Sequence, residues 1–262
     1  MFEVKKYPTE GRVRMDTTRV PMIEASDLRK IYNGGEVKVE ALKGVSLSVQ
    51  KGEMAAIMGP SGCGKTTLLN SLSGLDDITS GEVVIAGEPI SEMSDRTRTS
   101  FRAHKMGFIF QSYNLMPVLS AVENVELPLL VAGAKPREAR KKALAAMEMV
   151  GLSDQAKKRP AEMSGGQQQR VTVARSFVNE PAIVWADEPT GALDSETSKE
   201  IMDLLCRLNT EQEQTFVLVT HDAAVARRAH RTIRMRDGLI ESDRPNGEPN
   251  GTPGGSRNGK VA

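Results

Sequence analysis

The chain has 262 residues, 39% of them apolar and 4% aromatic, and its 35 basic and 34 acidic residues leave a formal charge of +1. That apolar share supports a sizeable core, within the range of one α/β unit carrying an inserted subdomain. The near-zero charge argues against nucleic acid as a partner, which selects a concentrated basic patch, and the distant Cys63 and Cys206 exclude a disulfide framework or zinc site.

Residues 1–20 are polar, mixed in charge and without an apolar h-region, so a flexible leader is expected there rather than a secretory signal. Met22 to Tyr32 and Val45 to Val49 alternate in the manner of strands, with Asn33-Gly34-Gly35 as a turn between them. Glu53 to Met58 is a short apolar run ending at a glycine, the pattern of a buried strand. Leu68, Leu69, Leu72 and Leu75 then recur at helical spacing, and Gly81 to Ile90 reads as a strand pair turning at Gly87. From about Ser94 to Phe177 the pattern is mostly helical. Between Pro136 and Val150, for example, Ala139, Ala143, Met147 and Val150 share one face and Arg137, Arg140, Lys141 and Lys142 the other. Apolar strands return at Ile183 to Ala186 and Phe216 to Thr220, around a helix from Ser195 to Leu208. The Gly/Pro/Asn-rich stretch 243–262 buries too little apolar surface to offset its ordering entropy and is expected to be a disordered tail. No internal repeat is visible. No run approaches the roughly 18 apolar residues of a membrane span, so a soluble chain without direct membrane insertion is expected.

Gly59 to Thr66 fits G-x-x-x-x-G-K-[ST] in full, after a strand and at the start of a helix. Gly59, Gly62 and Gly64 are expected at positive φ, turning backbone N–H groups inward around phosphate oxygens. The helix opening at Lys65 adds its N-terminal dipole. Lys65 supplies a point charge for the β- and γ-phosphates and Thr66 a hydroxyl for Mg²⁺, while Ser61, Cys63 and Thr67 belong to the same cradle. Cys63 reads as a small tolerated side chain. Binding and hydrolysis of Mg²⁺-ATP is the expectation.

Asp187 and Glu188 come directly after Ile183–Ala186 at the C-terminal edge of a strand, where open α/β sheets bind ligands. An aspartate there suits Mg²⁺, and the adjacent glutamate suits a general base for the attacking water. Ser164-Gly165-Gly166-Gln167 opens a helix with exposed N–H groups, a start suited to an anion. His221 comes after the strand Phe216 to Thr220, beside Asp222, within reach of a γ-phosphate.

These ordered motifs resemble the nucleotide-binding subunits of ATP-binding-cassette (ABC) proteins over roughly residues 20–242. The resemblance implies an α/β fold with a P-loop NTPase (RecA-like) core, an N-terminal antiparallel β subdomain and an inserted α-helical subdomain at about 95–175, the ATPase domain filling 21–242. By resemblance, Lys65 and Thr66 sit in the Walker A loop and Gln111 is the Q-loop glutamine that contacts Mg²⁺. Ser164 to Gln167 are the signature, with Met163 where leucine is commoner, and Asp187 and Glu188 the Walker B pair. Asp194 closes the D-loop, His221 is the switch histidine, and Tyr32 the aromatic that stacks on adenine. In the family the signature meets ATP held by a second subunit, so one phosphate loop and one signature imply a homodimer.

Long coiled-coil or zinc insertions of the DNA-associated members have no room between Lys65 and Ser164, and a second cassette, as in ribosome factors, is absent. A transporter engine on the cytoplasmic face of the membrane is expected, held there by a separate permease. Gln111 to Pro117, Ser120 to Val125 and Asp187 to Ser195 look most like cassettes of the MacB and lipoprotein-release (LolD) type, with FtsX-like permeases; an FtsE-like role in cell-wall hydrolysis is the alternative. Tyr113 to Val125, with apolar Leu115, Met116, Val118 and Leu119, is the expected dock for the permease's coupling helix. The cargo is left open.

Overall fold

The computed structural model describes residues 21–34 and 37–247. The expected leader, most of the tail, and Gly35 of the expected turn lie outside the described residues.

Alternation in the N-terminal region produces two long strands, β1 (Pro21–Gly34) and β2 (Val37–Gln50), paired antiparallel. With β4 (Ser80–Ile85) and β5 (Glu88–Pro89) they form a four-stranded sheet in the order β2-β1-β4-β5. The second sheet has six strands. It is built from β3 (Met54–Met58), β6 (Met106–Phe110), β7 (Ile183–Asp187), β8 (Thr215–Thr220), β9 (Arg231–Arg236) and β10 (Leu239–Pro245), in the order β10-β9-β3-β8-β7-β6. All neighbours are parallel except β9 with β10.

Every residue of β3 and β8 is buried. The cause is the covering of a parallel sheet on both faces, which calls for continuous apolar runs. The period-2 geometry of β3 then sorts its side chains into two cores. Met54, Ala56 and Met58 face a cluster with α3 (Ala121–Val131), α4 (Pro136–Met149), α5 (Gly165–Phe177) and α6 (Ser195–Gln212). Ala55 and Ile57 face α1 (Lys65–Leu72) and the antiparallel sheet. The remaining helices are α2 (Asp95–Lys105) and the one-turn α7 (Ala223–Ala226). α4 buries Ala139, Ala143, Met147 and Val150 and exposes its four basic residues, as its periodicity requires.

Three expectations need correction. The mostly helical span at about 95–175 contains a strand of the core sheet: Met106-Gly-Phe-Ile-Phe110 is the edge strand β6, paired with β7, so α2 precedes it and α3 to α5 follow it. The ordered domain does not stop at 242, because β10 runs to Pro245 and Asn246 donates to the Ala226 and Ala229 carbonyls. α1 ends at Leu72, and Leu75, beyond the left-handed Gly74, is 46% exposed instead of packing with the helix. The hairpin of β9 and β10 carried no expectation from the sequence. β9 carries Arg231, Arg234 and Arg236, but Ile233 and Met235 face inward between them.

Candidate functional site

The segment joining β3 to α1 wraps into a loop whose glycines serve two separate needs. Gly62 (φ +77°) and Gly64 (φ +102°) are left-handed, as expected. Gly59 is not. A Cβ there would lie 2.3 Å from the Met235 carbonyl oxygen and 2.6 Å from Cys63 Sγ, so that glycine is required by space rather than by φ. The β9–β10 turn braces the loop from behind, with Gly238 N–H donating to the Cys63 carbonyl at 3.0 Å and the Gly238 carbonyl accepting from Lys43 N–H at 3.0 Å.

A cavity of about 500 Å³ opens in front of this loop. Ser61, Gly62, Gly64, Lys65, Thr66 and Thr67 line one side; Glu188 and Val219 come from the sheet edge. Val39, Glu40, Ala41 and Lys43 of β2 and the turn residues Asp237 and Gly238 complete it, none of them expected from the sequence. The Asp237-Gly238 dipeptide was the one signal present, as a turn. Gly59 and Cys63 do not line the cavity; the Cys63 side chain is buried behind the loop.

Lys65 is buried, and its Nζ donates to the Gly59 and Pro60 carbonyls, both at 2.9 Å. Thr66 Oγ1 donates to Asp187 Oδ2 at 3.4 Å, which brings the two expected Mg²⁺ ligands together. Burial and then the neighbouring Glu188 carboxylate push the Asp187 carboxyl above its ordinary range, opposed by Thr66 and Lys65. Glu188 itself has φ +47°, an uncommon conformation for a non-glycine residue. Its carboxylate accepts from Thr220 Oγ1 at 3.2 Å and from His221 N–H at 3.0 Å, and it pairs with His221 Nδ1 at 2.8 Å. A glutamate in a strained backbone position with every oxygen directed is a group whose orientation the fold over-determines.

The other expected residues lie away from the cavity lining. Ser164 N-caps α5 in a capping box: its Oγ accepts from Gln167 N–H at 3.3 Å and Gln167 Oε1 accepts from Ser164 N–H at 3.0 Å. The Gly165 position is confined by the Tyr113 hydroxyl and that of Gly166 by Thr197, 2.9 and 2.5 Å from where a Cβ would sit. Met163 is buried in the helix-side core, so methionine does the packing expected of leucine. Asp194 N-caps α6, accepting from Glu196 N–H, Thr197 N–H and Thr197 Oγ1, which holds its carboxyl below the usual range. Gln111 stands at the end of β6 against Gly191, whose added Cβ would meet Gln111 Nε2 at 2.9 Å. Tyr32 is half exposed, next to the lining residue Val39 across the β1–β2 ladder, its hydroxyl donating to Asp76 Oδ2 at 2.7 Å.

A profile of the ABC transporter family matches residues 42–191, more than half of the chain. The chain belongs to the ABC transporter family. It is the ATP-binding cassette of such a transporter and an ATP hydrolase. It is 50% identical over 220 residues to an uncharacterized ABC transporter ATP-binding protein of Thermotoga maritima, covering 84% of this chain and 94% of that one. It is 46% identical to the macrolide export ATP-binding/permease protein MacB of Syntrophobacter fumaroxidans over 85% of this chain, but that stretch is only 31% of the MacB protein. Among solved structures it is similar to the dimeric bacterial ABC transporter cassette MJ0796, with 46% identity, a TM-score of 0.79, and coverage of 86% of this chain and 98% of the other. A dimeric post-hydrolysis state of MJ0796 bound to ADP and Pi matches with 45% identity and the same TM-score and coverage.

In this cassette, one contact had no sequence signal. Arg175 of α5 donates to the carbonyls of Asn114 at 2.6 Å and Tyr113 at 2.8 Å. Both acceptors are non-glycine residues with positive φ, +50° and +61°. Burial pulls the Arg175 pKa down, and no carboxylate contributes to offset it. The guanidinium is thus committed to the backbone of the segment after Gln111.

Proposed function

We propose that this cassette works as an ATP-sandwich homodimer that drives a separate membrane permease of the FtsX/MacB type. The observation that carries the dimer is the placement of Ser164 to Gln167: the capped, accessible start of α5 contributes nothing to the cavity of its own chain. A second copy presenting this helix start to the phosphates completes each site, with Asp194 beside the interface. The dimeric relatives support this reading.

Within one half-site, Lys65 exchanges its two carbonyl partners for β- and γ-phosphate oxygens. Gly62 and Gly64 turn the loop's N–H groups inward, and Thr67 and Ser61 flank them. Glu188 takes the proton of the attacking water, its carboxylate aimed by Thr220 and the His221 N–H. His221 then uses its remaining ring nitrogen on the γ-phosphate, and Tyr32 stacks on the adenine base.

Thr66 and Asp187 are an all-oxygen pair suited to Mg²⁺, with Gln111 as a third contact. Among the described residues no cluster of three or more acidic, histidine or cysteine side chains could form an all-protein cage. That suits Mg²⁺, which keeps waters and substrate phosphates in its shell. When bound, it neutralises phosphate charge. The raised Asp187 pKa also fits a cation: burial and the Glu188 carboxylate outweigh what Thr66 and Lys65 offset.

That shift has a measurable consequence. The folded protein holds the Asp187 proton more tightly than the unfolded chain does. Protonation therefore favours the fold, and this contribution disappears as pH rises through the raised pKa. Asp187→Asn should raise the melting temperature of the nucleotide-free protein at neutral pH, with the gain shrinking as pH falls, and should weaken Mg²⁺-dependent ATP binding. Thermal unfolding across pH, with and without Mg²⁺-ATP, checks both; a gain that grows toward acid would contradict the assignment.

The permease class rests on the resemblance of Gln111 to Pro117 and Asp187 to Ser195, and on the identity to MacB. No helix among the described residues is long and apolar enough to cross a membrane; in this reading the permease holds the cassette on the cytoplasmic membrane face. Met116 and Val118 are 47% and 70% exposed after the Q-loop, while Leu115 packs partly inward. The exposed pair offers apolar surface for a coupling helix. The gene beside the one encoding this chain is the test. An FtsX-like permease with a large extracytoplasmic domain supports the reading, and a six-helix importer permease with a binding protein overturns it.

A further inference from the structure

Next to the cavity residues Val39 and Thr67 lies a polar cluster that phosphate chemistry does not use. Lys30 of β1 is buried, and its Nζ donates to Asp76 Oδ1 at 2.6 Å and to the Asp77 carbonyl at 2.5 Å. Asp76 spends its second oxygen on the Tyr32 hydroxyl at 2.7 Å. The same Lys30 ammonium lies 4.8 Å from the centroid of the Tyr32 ring. One lysine therefore acts on Tyr32 twice, through Asp76 at the hydroxyl and directly on the ring.

Tyr32 is also fixed in place relative to the cavity. Its cross-strand partner in β1–β2 is Val39, which lines the cavity and is 54% exposed. Burial first and the Asp76 bond second raise the phenol's pKa, while Thr67 of the cavity wall acts on the hydroxyl in the opposite sense. The ring is 41% exposed, its backbone paired with one wall residue and its hydroxyl tied to Asp76 within reach of another.

We propose that Lys30 and Asp76 are positioning residues of the nucleotide site, which act through the Tyr32 hydroxyl to hold the ring with Lys30 on one face and the other face presented to the purine base. This rests on Tyr32 being the base-stacking aromatic. A free tyrosine would lose side-chain freedom each time a base stacked on it, and the tether removes that cost before the ligand arrives. A charge-assisted hydrogen bond is the strong kind suited to such a tether. A lysine on the far face adds attraction to the ring quadrupole and fixes the ring against it. The pair thus favours a ligand with a base over one that has phosphates alone.

The test compares equilibrium dissociation constants of ATP and of inorganic tripolyphosphate, with Mg²⁺ and the full chain. Tyr32→Phe keeps the ring and the Lys30–Asp76 pair and removes only the tether. It should weaken ATP about fivefold, the worth of one net hydrogen bond, and leave tripolyphosphate within about twofold. Asp76→Asn and Lys30→Met should show the same pattern, and Tyr32→Ala should cost ATP about tenfold or more by removing the stack. If Tyr32→Ala weakens ATP but Tyr32→Phe does not, the positioning role is wrong and the base reading stands. Unchanged ATP affinity in Tyr32→Ala overturns the base reading and the inference with it. Equal losses of ATP and tripolyphosphate would mark a general structural effect and also overturn it. Should Asp76→Asn fail to fold, because it leaves buried Lys30 without its counter-charge, Tyr32→Phe alone decides.

Discussion

Glu188→Gln should lower ATP turnover by about 10²- to 10⁴-fold, the contribution of a positioned general base, while nucleotide binding persists. The substitution disturbs little else. A glutamine oxygen can keep the bonds from His221 N–H and Nδ1, and its amide can donate to Thr220 Oγ1 where the carboxylate oxygen formerly accepted. The φ of +47° is a backbone matter that glutamine inherits. With the base gone and the γ-phosphate intact, the charge that bridges two copies is not removed, so the ATP-bound dimer should accumulate. Two measurements suffice: steady-state phosphate release, and the molar mass by light scattering at saturating Mg²⁺-ATP. A Glu188→Gln protein that stays strictly monomeric under those conditions would refute the sandwich.

Gly107→Ala should produce a large loss of stability. A Cβ at Gly107 would sit 2.1 Å from the Ser176 carbonyl oxygen, 2.9 Å from its carbonyl carbon and 3.1 Å from its Cβ. The first two are backbone atoms of α5, which move only if the helix moves. Overpacking against such a neighbour costs about 3 kcal/mol or more, a fall in melting temperature of about 10 °C for a domain of this size. Gly133→Ala is the control. Gly133 is left-handed at φ +90°, but nothing lies within 4 Å of its Cβ position. It should cost only about 1–2 kcal/mol for the left-handed conformation. Calorimetry of the two variants separates a glycine needed for space from one needed for φ; similar losses would mean that β6 and α5 can part more easily than their contact implies.

Local chemistry was legible in the sequence, and what depends on distant partners was not. The phosphate loop, the acidic pair after Ile183–Ala186 and the amphipathic α4 are all set by spacing within about fifteen residues, which is the range that periodicity reports. Gly59 could be seen as necessary, but its reason is a carbonyl 176 positions away on β9. β6 was submerged in a helical region because five residues with a glycine carry too short a period to stand out, and only pairing with β7 makes them a strand. The β9–β10 hairpin was hidden by its arginines, one of which is neutralised by Glu53 and Asp243 inside the fold. Tyr32 stood alone in the sequence; the Asp76 that holds it is 44 residues on. Lys65, Thr66, Asp187, Glu188 and His221 converge as the motifs imply, whereas Ser164 to Gln167 stand apart from them.

Arg175 has a mechanical consequence. Its guanidinium grips the Tyr113 and Asn114 carbonyls, while the Tyr113 hydroxyl abuts the Gly165 position at the other end of the same helix. The loop after Gln111 is therefore strapped along α5 at two points. α5 has thirteen residues, a rod about 20 Å long. The end of α5 that carries Arg175 is thus bonded to the segment leading to Met116 and Val118, and the Ser164 end of the same rod lies against the side chain of that segment's Tyr113.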